Sequence, residues 1–135
     1  MDAAIQNPGW KESIFDFIIG QNDPTLESLL LRLYLNVGDY EGLWRRIIET
    51  DNISGLNTYH QVLHQEGVSI LDVELTGLVD RFLQFRAGEI VNDQLEKLLK
   101  ELLFSGFPER MKLIKEHIKS THSDRVILLA RLNSY

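Results

Sequence analysis

Apolar residues recur at three- and four-residue spacing along nearly the whole chain, and no stretch alternates with period two through β-branched residues. Over 70–87, Leu71, Leu75, Leu78, Val79, Phe82 and Phe85 fall on one helical stripe. Leu95, Leu98, Leu99, Leu102 and Leu103 form another. Punctuation agrees with the period. Asn7-Pro8 and Asp23-Pro24 pair an N-cap oxygen with Pro at the first helical position. Ser69 and Asp72 have capping-box spacing, and Asn92, Phe107-Pro108 and Ser123 are further starts. Gly20, Gly38, Gly67, Gly88 and Gly106 each follow an apolar run, where a left-handed residue ends a helix. The pattern predicts helices over 8–19, 24–37, 40–51, 55–66, 70–87, 93–105, 108–120 and 124–132, and no sheet. The expected fold is all-α: one domain, 1–135, built as a compact bundle or array of seven to eight short helices. The alternative is a fragment of an α-solenoid.

The segment 24–37 differs from the others because Leu26, Leu29, Leu30, Leu31, Leu33, Tyr34, Leu35 and Val37 cover most of its circumference. Such a helix is buried on all sides, at the centre of a domain or under a partner, which makes Leu31 and Leu35 candidate contact residues. Trp44 shares a face with Tyr40, Leu43, Ile47 and Ile48 and reads as core. Trp10, on the short helix with Ile14, Phe17 and Ile18, reads as a clip onto the domain or a partner.

Leu33-Tyr34-Leu35-Asn36-Val37-Gly38-Asp39-Tyr40-Glu41 resembles the inter-helix turn of a tetratricopeptide unit. The resemblance covers one turn. Leu31 and Leu43 stand where that family has Gly and Ala, and Asp72 replaces the Gly of a second copy. What it implies is a helical hairpin with Gly38 in the turn and Tyr packed between helices.

Charge changes the picture more than composition does. The chain has no cysteine, which removes disulfides, thiolate metal sites and cysteine nucleophiles together. Its net charge is −6, but residues 1–96 hold 16 acids and 6 bases, whereas 97–135 hold 4 acids and 8 bases. In the basic part Lys112, Lys115 and Lys119 form one stripe, with Arg110 on its flank. The stripe lacks interleaved exposed aromatics and the remainder is acidic, so nucleic acid is not the expected partner. No apolar run reaches membrane-spanning length and the first residues carry no basic, then apolar, leader pattern. A cytoplasmic or otherwise intracellular place is expected, and Asn52-Ile53-Ser54 is then a glycosylation sequon by chance.

Three constellations bear on chemistry. His60 and His64 lie four apart on one predicted helix and can hold two corners of a zinc site, but Gln61 replaces the general-base Glu of a zinc protease and no third ligand follows from the sequence. Arg110 and His117 share a helix face and resemble, in spacing, the Arg and His of some all-helical nucleic-acid-cleaving toxins; the polar residue expected beside the Arg is absent. Asp72, Glu74, Asp80, Glu89, Asp93 and Glu96 fall at helix N-termini or on solvated faces. No Gly-rich phosphate loop is present. The sequence therefore predicts no catalytic residue, no metal and no cofactor. The expected function is a non-catalytic protein-interaction module, self-associating through its acidic and basic parts. The alternatives are an acidic inhibitor or immunity-type protein with a basic partner, and a helical nuclease using Arg110 and His117.

Overall fold

The computed structural model describes Ser13, Phe17 and residues 24–133. Helices run over Pro24–Asn36 (α1), Tyr40–Glu49 (α2), Ile53–Gln65 (α3), Asp72–Gln84 (α4), Glu89–Phe104 (α5), Pro108–Thr121 (α6) and Val126–Leu132 (α7). Among the described residues there is no strand, so the all-α expectation holds. Ser13 and Phe17 are helical; the rest of the predicted 8–19 helix, with Trp10, lies outside the described residues. Residues 1–43 and 44–135 form two compact units, with the boundary inside α2.

In the first unit Leu30 is fully buried, with Leu26, Leu29, Leu33 and Tyr34 packed against it. Burial of α1 is less complete than its composition predicts. Leu31 is buried at 3% exposure, but Leu35 is half-buried and Val37 is 37% exposed, where the helix runs out. The turn that follows places a left-handed glycine where its sequence implied. Gly38 sits at φ +75°, the Asp39 N–H donates to the Tyr34 carbonyl at 2.9 Å, and Asp39 Oδ1 caps α2 by accepting the Gly42 N–H at 3.0 Å. Gly42 permits close approach here: a Cβ on it would lie 2.8 Å from Tyr34 Cε1.

The second unit is built on α5. It packs against α3 and α6, α4 packs against α6, and α7 rests on α5 and α6. Leu56, Leu63, Leu75, Leu78, Leu95, Leu98, Leu99, Leu102, Ile114 and Ile118 are 0% exposed and form the core. Trp44 joins them at 3% exposure, its indole N–H donating to Glu74 Oε1 at 3.4 Å. The same carboxylate accepts the Leu71 N–H at 2.9 Å. That is the N3 half of a capping box; Leu71, not Ser69, is the N-cap, and it has no side-chain oxygen for the other half.

One termination device recurs. At the ends of α1, α2, α3 and α5 the last orphan carbonyls are closed by paired bonds from the next two amides; for α3 these are Gly67 N–H to His64 O at 3.1 Å and Val68 N–H to Leu63 O at 3.0 Å. Glycine supplies the left-handed residue three times. Asp51 supplies it after α2, at φ +50°, and its carboxylate accepts from Arg81 Nε at 2.7 Å. A Cβ on Gly67 would meet nothing within 4 Å, so Gly67→Ala isolates the backbone cost. It is expected to destabilise by about 1 kcal/mol, whereas Asp51→Gly, trading relieved strain for a surface ion pair, stays within about 0.5 kcal/mol of the parent; urea unfolding midpoints check both.

Gly88 departs from the predicted grammar. Helix α4 stops at Gln84, and Gly88, at φ +106°, is the N-cap of α5. Starting α5 at Glu89 places Asn92, read as a helix start, inside the helix and 9% exposed. It also leaves Phe85 off the α4 stripe, 84% exposed. Leu71, at the other end of that stripe, is 53% exposed. Likewise α7 begins at Val126 with Arg125, not Ser123, as its cap.

Candidate functional site

Helix α6 buries Met111, Ile114 and Ile118, which carries His117 along the flank of its apolar face. The helix ends without glycine. His122 occupies the C-cap at φ −120°, ψ +44°, its N–H donating to the Ile118 carbonyl at 2.8 Å. Because the chain leaves helical geometry at His122, its ring turns back beside His117, with ring centroids 6.3 Å apart. Both rings meet one carboxylate on α4: His117 Nε2 lies 2.8 Å and His122 Nε2 2.7 Å from Asp80 Oδ1. Side-chain exposures of 39% for Asp80, 25% for His117 and 16% for His122 place the cluster at the rim of the core, open to solvent on one side. Burial pushes the Asp80 carboxyl up, but hydrogen bonds from His122 and His117 and their charges outweigh it and hold it below the usual range. Chemically, two imidazole nitrogens and a carboxylate oxygen that all lie within 4.8 Å of one another are a donor set for a cation.

The two histidines singled out on α3 behave differently. His60 is 1% exposed and His64 is exposed. Phe107 stacks edge-on against both rings, at 4.6 and 4.7 Å between centroids. Arg110 Nη1 lies 2.6 Å from His60 Nε2. A guanidinium only donates, so Nε2 accepts and the ring proton sits on Nδ1, which is buried with no acceptor among the described residues. Burial, then Arg110, then His64 lower the His60 pKa to about 4. A guanidinium on Nε2 occupies the position a shared metal would need, so this pair does not make the zinc corner that its spacing allowed.

The structure also gives Arg110 and His117 different partners: Arg110 turns to His60 and His117 to Asp80. Lys112 is exposed, while Lys115 and Lys119 are half-buried. Around Arg110 and Lys112 lie Asp72, Glu109 and Glu116, so the basic stripe carries acids among its bases.

A third feature was not legible in the sequence. The start of α5 and the start of α7 enclose an open cleft of about 780 Å³, lined by Ala87, Gly88, Glu89, Asn92, residues 124–128 and Arg131. Val126 and Ile127 on it are 71% and 72% exposed. Phe85, in the turn leading into the cleft, and Ile90, on the neighbouring face of α5, are 84% and 75% exposed. Arg131 is fixed by Asp93 and by Glu96, 2.7 Å from its Nη2. No family model, curated protein or solved structure matches the chain.

Proposed function

We propose that the domain is a non-catalytic protein-interaction module that self-associates through the cleft between α5 and α7. The observation that carries this reading is the exposure of Val126 and Ile127, each above 70%, on the lining of one open cleft, with Phe85 exposed in the turn that leads into it. Adjacent large apolar side chains facing water on the wall of a cleft mark a contact surface rather than scattered surface residues. The face offers both an apolar ridge, Val126 and Ile127, and the cleft beside it. A two-fold axis through such a face lets each copy insert its ridge into the other.

Charge complementarity contributes less than the division of the sequence at residue 96 suggested. Arg131 binds Asp93 and Glu96, Lys100 approaches Glu96 at 3.8 Å, and His117 and His122 bind Asp80. Lys100 and Arg131 of the basic part are thus paired with acids of the same chain. Sedimentation velocity over a concentration series tests the reading. The parent is expected to pass from monomer to dimer, V126D/I127D to remain monomeric, and added salt to leave the parent's association intact. Dissociation by salt would transfer the interface to the acidic and basic faces. A parent that stays monomeric at every concentration overturns self-association.

A further inference from the structure

We propose that Asp80, His117 and His122 form a binding site for a divalent transition-metal ion of the zinc type. The inference is independent of the self-association reading.

The argument rests on convergence. Two Nε2 atoms approach the same oxygen, Asp80 Oδ1, from an α6 residue and from the turn after it, at 2.8 and 2.7 Å. The three donor atoms lie within 4.8 Å of one another. An ion bound at about 2.1 Å to each, with tetrahedral angles, needs donor separations of about 3.4 Å. The two nitrogen–oxygen contacts must therefore widen by roughly 0.6 Å, within the reach of side-chain rotation and without backbone movement. The donor types fit: neutral imidazole and carboxylate oxygen are ligands of zinc and of the neighbouring divalent metals, while calcium and magnesium prefer all-oxygen sites. With three protein ligands and one solvent-facing side, the fourth position falls to water.

The setting is suited to selective binding. Among the described residues Asp80 is paired with no Lys or Arg, and its side-chain contacts are the two imidazoles. The ligands come from α4, α6 and the α6–α7 turn, separated by 37 and 42 residues in sequence, so the site exists only in the folded chain. Binding then adds directly to folding stability. It also changes the role of Nε2. Without metal, Nε2 of each ring donates to the Asp80 carboxylate. With metal, the Nε2 lone pair is the ligand and the ring proton sits on Nδ1.

The test uses the untagged full chain and zinc or cobalt ions alone. Titration calorimetry is expected to give one equivalent of zinc, and the cobalt complex to show the visible absorption bands of a low-coordinate nitrogen–oxygen site. Zinc at a hundredfold excess over Kd should raise the thermal midpoint by roughly 10 °C. His122→Ala and His117→Ala should each weaken binding about 100-fold or more, whereas His64→Ala should leave it unchanged. His122→Gln, on the turn, carries the test if His117→Ala does not fold. Nitrogen shifts of the imidazoles give a readout without any variant: the protonated nitrogen of His117 and His122 should change from Nε2 to Nδ1. Absence of binding by the parent overturns the proposal, as does binding that survives His122→Ala or shifts that retain a proton on Nε2.

Discussion

Lowering the pH from 6.5 to about 4 is expected to remove about 3 kcal/mol of unfolding free energy through His60 alone. In the folded chain this ring is 1% exposed, faces a guanidinium, and takes a proton only near pH 4. In the unfolded chain it takes one near 6.5. Between those values the unfolded state binds more protons, so stability falls as pH falls. Above 6.5 the contribution is present in full. His60→Gln keeps a carbonyl oxygen that can accept from Arg110 and cannot titrate. Urea unfolding of the two proteins across this range should show the variant losing less stability by most of that amount. Equal losses would mean that the folded ring protonates freely, and that its burial against Arg110 is not maintained in solution.

Truncating Leu98 to Ala is expected to cost about 3 kcal/mol, within the range of roughly 2–5 for a buried leucine. Leu98 is 0% exposed on α5, the helix that touches α3, α6 and α7. A cavity left at a fully buried position costs more than the lost transfer free energy alone. A loss of this size is a large part of the 5–15 kcal/mol that holds a domain of ordinary stability together. Ile90, on the same helix but 75% exposed, provides the contrast: Ile90→Ala should change stability by less than about 0.5 kcal/mol. Chemical denaturation distinguishes the two, and similar losses would place Ile90 in a packed environment.

Helices were legible in the sequence because their signals are local. Spacing located the buried faces of α4 and α5, and Gly38, Gly67 and Gly106 marked three stops that the hydrogen bonds confirm. Gly88 was misassigned because a left-handed glycine serves equally at a C′ position and, as here, as an N-cap; the sequence carries both possibilities. The candidate site was legible only in part. His117 was singled out, but with Arg110 as its companion, since helical periodicity puts those two on one face. His122 is five residues from His117, a spacing that separates side chains on a continuous helix. Only the end of α6 at Thr121 brings it back, and only tertiary packing delivers Asp80. The exposed cleft depends on the same unreadable quantity, where helices stop: α4 ends at Gln84, three residues short of the predicted end at 87.

That early stop leaves the C-terminus of α4 without a glycine device of its own. Arg86 Nη1 donates to the Phe82 carbonyl at 3.3 Å, and Arg125 Nη2 donates to the Leu83 carbonyl. One of the two closures is thus supplied from 42 residues downstream. During synthesis the helix emerges well before the residue that finishes it. Until Arg125 has been added, the Leu83 carbonyl in the last turn of α4 lacks this donor. Translation order therefore places this closure of α4 after residue 125 has been synthesised.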